Sequence, residues 1–216
     1  MFRALSFLVI ASIATTAQAN VLITEIMYDN FGSNEHEYVE LYNSGAATVD
    51  LTGWTLSDDP SQTIPHPVTL TGGSIAPGGT AVLIRTDSTA RTLQNYIDAW
   101  GASVNWIEVA AWPVYTNGGD VVHLTDPGNN VVASVDYSIT NGYPAPNDAA
   151  SIYMLDPTAV DPYAASNWAL SQDGVDGAHF GNSPRASDIG SPGFVIPEPA
   201  SMAMITLGLF GLLRRP

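Results

Sequence analysis

Short runs of β-forming residues, interrupted by Gly, Pro, Asn and Asp roughly every 8–12 residues, constrain this chain to an all-β fold. The clearest run is Glu37–Leu56, EYVELYNSGAATVDLTGWTL. Alternation puts Tyr38, Glu40 and Tyr42 on one face of a first strand and Val39 and Leu41 on the other. Asn43-Ser44-Gly45 suits a polar turn. In the second strand Val49 and Leu51 share a face, but Trp54 and Leu56 fall on the opposite parity. A one-residue slip at Gly53, a bulge or tight bend, would bring all four to one core.

The remaining segments read in the same terms. Val21–Tyr28 is a β-rich run in which strict alternation sets Glu25 beside Val21, Ile23 and Met27. Ile64-Pro65-His66-Pro67 cannot be a central strand, because proline lacks the donor a ladder needs. Val68–Leu70 is a short strand, and Thr80–Ile84 is apolar enough to be covered on both sides. Leu93, Tyr96, Ile97 and Trp100 recur at helical spacing, with Ser88 or Thr89 as a cap and Gly101 as a stop. Asp120–Thr125 and Val131–Tyr137, joined by Asp126-Pro127-Gly128-Asn129-Asn130, form the best hairpin. Past Ser138 the pattern loosens into an arm with one short strand, Ser151–Leu155, and with Trp168 as its anchor. No period of 20–50 residues repeats, which excludes solenoids and propellers. The expectation is an immunoglobulin-like β-sandwich with one short helix.

Composition narrows the chemistry. The chain has 216 residues, no cysteine and no lysine. Disulfides, thiolate catalysis and cysteine-ligated metals are therefore excluded, and packing alone must hold the domain. Between Asn20 and Ile196 three arginines face twenty carboxylates, a formal charge of −17. Such a body is repelled by nucleic acid and by anionic membranes. It could attract Ca²⁺, or its acids could simply solvate an extracellular surface.

Both ends read as addresses. Residues 1–19 carry Arg3, an apolar run from Ala4 to Ala14, and Ala17-Gln18-Ala19 before Asn20. That is the order of a secretory signal cleaved by signal peptidase after Ala19. At the other end Pro197-Glu198-Pro199 precedes fourteen uncharged residues, Ala200–Leu213, and then Arg214-Arg215. Fourteen helical residues span about 21 Å, a marginal membrane crossing, and the trailing arginines fit a cytoplasmic stop. The tail resembles the PEP-CTERM sorting signal of Gram-negative bacteria. That resemblance implies transient membrane anchoring, recognition by an exosortase, removal of the helix, and delivery to the cell surface or its exopolysaccharide matrix.

The body resembles the lamin-tail domain of bacterial secreted proteins. The matching segments are Ile23–Tyr28, Glu37–Asn43, Val49–Asp58, Ile75–Gly79 and Asn117–Leu124, closed by Asn167-Trp168 and Ser191-Pro192-Gly193. The chain departs from the family's pattern at Ser151-Ile152-Tyr153 and in a longer insert, Val175–Asp188. The division expected is residues 1–19 as signal, 20–194 as one lamin-tail-like domain with core 21–137 and arm 138–194, and 195–216 as sorting segment. The family implies a binding or scaffolding role and supplies no catalytic residues.

Several residues could carry chemistry. Glu35-His36-Glu37 sets a histidine among acids, as a metal ligand or as a solvated turn, but the other histidines show no zinc spacing. Asp173-Gly174-Val175-Asp176-Gly177 resembles part of a calcium loop without its full ligand series. Glu25 and Glu40 could be an acid–base pair or could cap backbone amides. Trp106, Trp112 and Tyr115 could stack on sugar rings or pack into the core. No nucleophile elbow, P-loop, dinucleotide fingerprint or zincin motif occurs. The function expected is a non-enzymatic surface or matrix protein without a cofactor, binding polysaccharide or another protein. A polysaccharide or phosphodiester hydrolase and a Ca²⁺-dependent adhesin are the alternatives.

Overall fold

The structure, a computed structural model, describes residues 21–32, 36–58, 67–113, 115–145 and 149–194. The signal sequence with Ala17, Ala19 and Asn20, the segment Ile64–His66, and the tail with Pro197, Glu198, Pro199, Arg214 and Arg215 lie outside these residues.

The chain forms β1 (Val21–Met27), β2 (Tyr38–Asn43), β3 (Val49–Asp50), β4 (Thr55–Ser57), β5 (Val68–Thr69), β6 (Ser74–Ile75) and β7 (Thr80–Arg85). Helix α1 (Leu93–Trp100) follows, then β8 (Trp106–Val109), β9 (Val121–Thr125), β10 (Val131–Asp136), β11 (Ile152–Met154), β12 (Trp168–Leu170), β13 (His179–Phe180) and β14 (Ile189–Gly190). Two main sheets, ordered β12-β11-β1-β2-β7-β8 and β10-β9-β4-β5, enclose one core. This is an immunoglobulin-like β-sandwich. Two small ribbons, β3-β6 and β13-β14, complete it.

The Glu37–Leu56 stretch behaves as its parity demands, with one correction. Val49, Leu51, Trp54 and Leu56 all reach the same core, and Gly53 sits at φ +81°. The second strand is not continuous, however. It splits into β3, which pairs with β6, and β4, which pairs with β9 and β5. The chain changes sheet at Gly53, and that is how one apolar set keeps a single core across the bend.

A second register shift organises the other face. Between Ile23 and Glu25 the pairing of β1 with β2 slips, so that Glu25 stands opposite Glu40 and Ile26 opposite Val39. Ile23 and Ile26 therefore both enter the main core, while Met27 joins a separate cluster with Tyr38, Val82 and Ile84. Glu25 shares its face with Met27 and not with Val21 and Ile23, which corrects the strict alternation expected for this run.

Strand β7 is covered on both sides. Ala81 and Leu83 face the sandwich, and Val82 and Ile84 face Tyr96, Ala99 and Trp100 of α1. The helix is the crossover between β7 and β8, the parallel pair of the large sheet. It starts at Leu93 behind Thr92, whose N–H and hydroxyl both meet Asn95 Oδ1, at 3.0 and 2.8 Å. The cap is thus Thr92 rather than Ser88 or Thr89. Ser88 instead bridges to Arg91, and Arg91 pairs with Asp87 at 2.6 Å. Gly101 ends the helix, its N–H donating to Ile97 O.

The arm is part of the sandwich. β11 and β12 extend the large sheet beyond β1, and Trp168 is buried, with its indole N–H donating to Pro162 O at 3.1 Å. β14 runs back beside the start of β11, where Ser151 N–H donates to Ile189 O.

Candidate functional site

Cross-strand neighbours on the outer face of the large sheet, Glu25 and Glu40, are 1 % and 0 % exposed. Among the described residues no arginine pairs with them; neutral donors do. Glu25 Oε1 accepts from Tyr38 Oη (2.6 Å), Ser151 Oγ (2.5 Å) and Ser191 N (2.8 Å), and Oε2 accepts from Ser191 Oγ (3.0 Å). Glu40 accepts from Thr24 Oγ1 (2.8 Å) and from Gly193 N (2.6 Å). Both acids thus cap amides of the Ser191-Pro192-Gly193 turn and pin the end of the arm onto the first two strands. The pair is a clamp. Asp188, 0 % exposed, adds a third tie by accepting from Phe31 N at 2.8 Å.

Burial raises the pKa of Glu25, although its four donors pull the other way. Burial, and after it the charge of Glu25, hold Glu40 well above the usual carboxylate range. Two like charges facing each other in a dry site cannot both ionise cheaply, which raises the pair's affinity for a proton.

A further buried acid is Glu37, which the sequence offered as part of a metal site or a solvated turn. Glu37, 1 % exposed, receives the Trp112 indole N–H at 2.5 Å and has Arg85 at 3.5 Å. Burial pushes its carboxyl up to about 8, against the pull of Arg85 and Trp112. Neither Glu37 nor His36 lies in a solvated turn. His36 is buried with its ring 5.4 Å from that of Tyr96, while Glu35 lies outside the described residues. The apolar Val39 and Leu41 beyond this pair gave the only hint that the strand's start is already under cover.

These shifts carry a pH dependence. Folded carboxyls with raised pKa values bind protons more tightly than unfolded ones, so their contribution is complete below the ordinary value of 4.5. It is lost as pH rises, through about 8 for Glu37. Melting temperature is therefore expected to fall steadily between pH 5 and 9. A profile that rises over that window would contradict the raised proton affinity of Glu25, Glu37 and Glu40.

The three aromatics considered as sugar platforms are placed otherwise. Trp112 and Tyr115 are 5 % and 2 % exposed and meet edge to face in the core. Trp106 is half-buried against α1, its indole N–H donating to Gly101 O at 2.9 Å. The core encloses the rings of Trp112 and Tyr115, so neither offers an open ring face. Asp173–Gly177 is a solvated turn in which Asp176 accepts from Tyr153 Oη at 2.8 Å. Among the described residues no group of three or more His, Asp or Glu side chains is placed to hold a metal ion.

The domain is an immunoglobulin-like sandwich closed by an acid-clamped arm, and sequence profiles agree with that fold. The Lamin Tail Domain profile matches residues 14–138, and the PEP-CTERM protein-sorting motif matches residues 195–215. The chain belongs to the lamin-tail-domain family and carries an exosortase sorting signal, the mark of an exported surface protein of Gram-negative bacteria. A comparison with curated proteins found no match. The family match stops at the end of β10, so the clamp joins family strands β1 and β2 to an arm beyond the matched region. Among the described residues no helix is long and apolar enough to cross a membrane; the apolar tail is outside them.

Proposed function

We propose that this lamin-tail domain is a non-enzymatic protein of the bacterial surface or its exopolysaccharide matrix, where it binds a matrix polymer or another surface protein. One observation carries the reading: the best-placed acid pair, Glu25 and Glu40, is spent on holding the arm. General acid–base work needs a carboxyl within reach of substrate, and these two are sealed beneath Ser191 and Gly193. The terminal signals supply the route, through signal peptidase at Ala19 and an exosortase at Pro197-Glu198-Pro199, with the apolar tail as a transient membrane anchor.

The test is co-sedimentation of the exported protein with exopolysaccharide, followed by sizing of the polymer. Retention without shortening of the polymer supports a binder. Shortening that Glu40→Gln abolishes would establish the hydrolase instead, and retention only with added Ca²⁺ would establish the adhesin. For the route, Glu198→Ala is expected to leave an unprocessed precursor in the membrane fraction, read as a larger band on a gel. An unchanged product size would count against exosortase processing.

A further inference from the structure

The closing arm does more than cover the sheet. Between its end and the α1–β8 connection lies a cleft of about 440 Å³, within the roughly 300–1,000 Å³ of small-ligand sites. Trp100, Ser103, Val104, Asn105, His179 and Phe194 define its walls. We propose that this cleft binds a neutral saccharide unit, with the Phe194 ring as the stacking platform. The inference rests on the reading of the protein as a binder and names its ligand class.

Three observations support it. First, Phe194 is 43 % exposed yet held in place. A Cβ on Gly177 would lie 2.5–2.8 Å from three of its ring carbons, so the ring is seated on bare glycine backbone. An aromatic ring that is both exposed and positioned suits the apolar C–H face of a pyranose. Second, the rim offers neutral polar groups. Asn105 Nδ2 is fixed by bonds to Ser74 O and Thr80 O, both 2.9 Å, which leaves its carbonyl oxygen as an acceptor. Ser103 and His179 are exposed beside it. Third, among the described residues the lining contains no carboxylate. In a chain of net charge −15 that is a distinction, because two other clefts carry Glu108 or Asp136. A neutral sugar avoids the long-range repulsion an anionic polymer would meet from this body.

The experiment is calorimetric titration of the full chain, kept in a detergent that is not a glycoside, with neutral tetrasaccharides of glucose, mannose, galactose and N-acetylglucosamine. At least one is expected to bind. Phe194→Ala should weaken it at least tenfold, as should Gly177→Ala, which drives a methyl into the ring. Ser103→Asp, at an exposed position that leaves packing intact, should also weaken it by placing a charge on the rim. Phe31→Ala, which removes an exposed ring elsewhere, should change nothing. Binding that survives Phe194→Ala and Ser103→Asp overturns the site. No binding by any tetrasaccharide overturns it too, while retention of the protein on matrix polymer would keep the broader reading standing. Tighter binding of a tetragalacturonate than of every neutral probe would overturn the assignment to neutral sugars.

Discussion

Replacing Glu25 with alanine is expected to cost about 3–4 kcal/mol of stability, since each buried donor left without its acceptor costs about 1–3 kcal/mol. Four donors lose their partner at once: Tyr38 Oη, Ser151 Oγ, and the amide and hydroxyl of Ser191. Ser151 and Ser171 can partly console each other across 2.7 Å, so the total stays below the sum of four penalties. For a domain of this size the midpoint should drop by about 10 °C. Glu40→Gln should behave differently. It keeps an acceptor for Gly193 N and removes the like charge beside Glu25, so a cost of about 1 kcal/mol or less is expected. It should also flatten the decline in stability above neutral pH. Thermal melts of both variants at pH 6 and pH 9 decide the matter. Equal losses at both positions, with the pH slope unchanged, would mean that the two acids do not act as one clamp.

Trp54→Ala is expected to cost about 3–5 kcal/mol, the usual range for emptying an aromatic core site. Trp54 is 8 % exposed and shares the inter-sheet core with Val49, Leu51 and Leu56. Its position depends on Gly53, where the chain leaves β3 for β4. Gly53→Ala should cost about 1–2 kcal/mol from its left-handed backbone alone. The new methyl itself would meet only Pro127 at 3.5 Å, an ordinary contact. Urea unfolding gives both numbers. If Gly53→Ala proves harmless, the bend is not what carries Trp54 into the core.

Much of this architecture is legible one residue at a time. Parity alone required a break at Gly53, because Val49 and Leu51 could not otherwise share a core with Trp54 and Leu56. Leu93, Tyr96 and Trp100 announced the helix, and the run Thr80–Ile84 announced a strand covered on both sides. The β9–β10 hairpin followed from alternation around Asp126–Asn130. The split into β3 and β4 was not legible, since sheet membership depends on partners distant in sequence. Nor were β12, β13 and β14, which are two or three residues long and set by neighbours rather than by pattern.

The site divides along the same line. Glu25 and Glu40 stood out in the sequence as acids in β-rich runs, with capping of backbone amides among their readings. What could not be read was their partner, because Ser191 and Gly193 lie 166 and 153 residues away. Trp106, Trp112 and Tyr115 were legible as a cluster and not as a surface. Whether an aromatic is platform or core depends on what lies across from it, and for Trp112 that is the carboxylate of Glu37. Phe194, an exposed ring at the end of the arm, gives no local signal, for it is positioned by the absence of a side chain at Gly177.

By itself, then, the sequence determined the all-β class, the helix, the bend at Gly53, the family and the sorting address, since each rests on local periodicity, turn chemistry or a contiguous motif. Tertiary structure alone decided which acids are buried, that the arm is clamped by a carboxylate pair, and where a neutral cleft opens in an acidic protein. Burial and pairing are properties of what the chain brings together from far apart, and no short stretch of residues encodes its own surroundings.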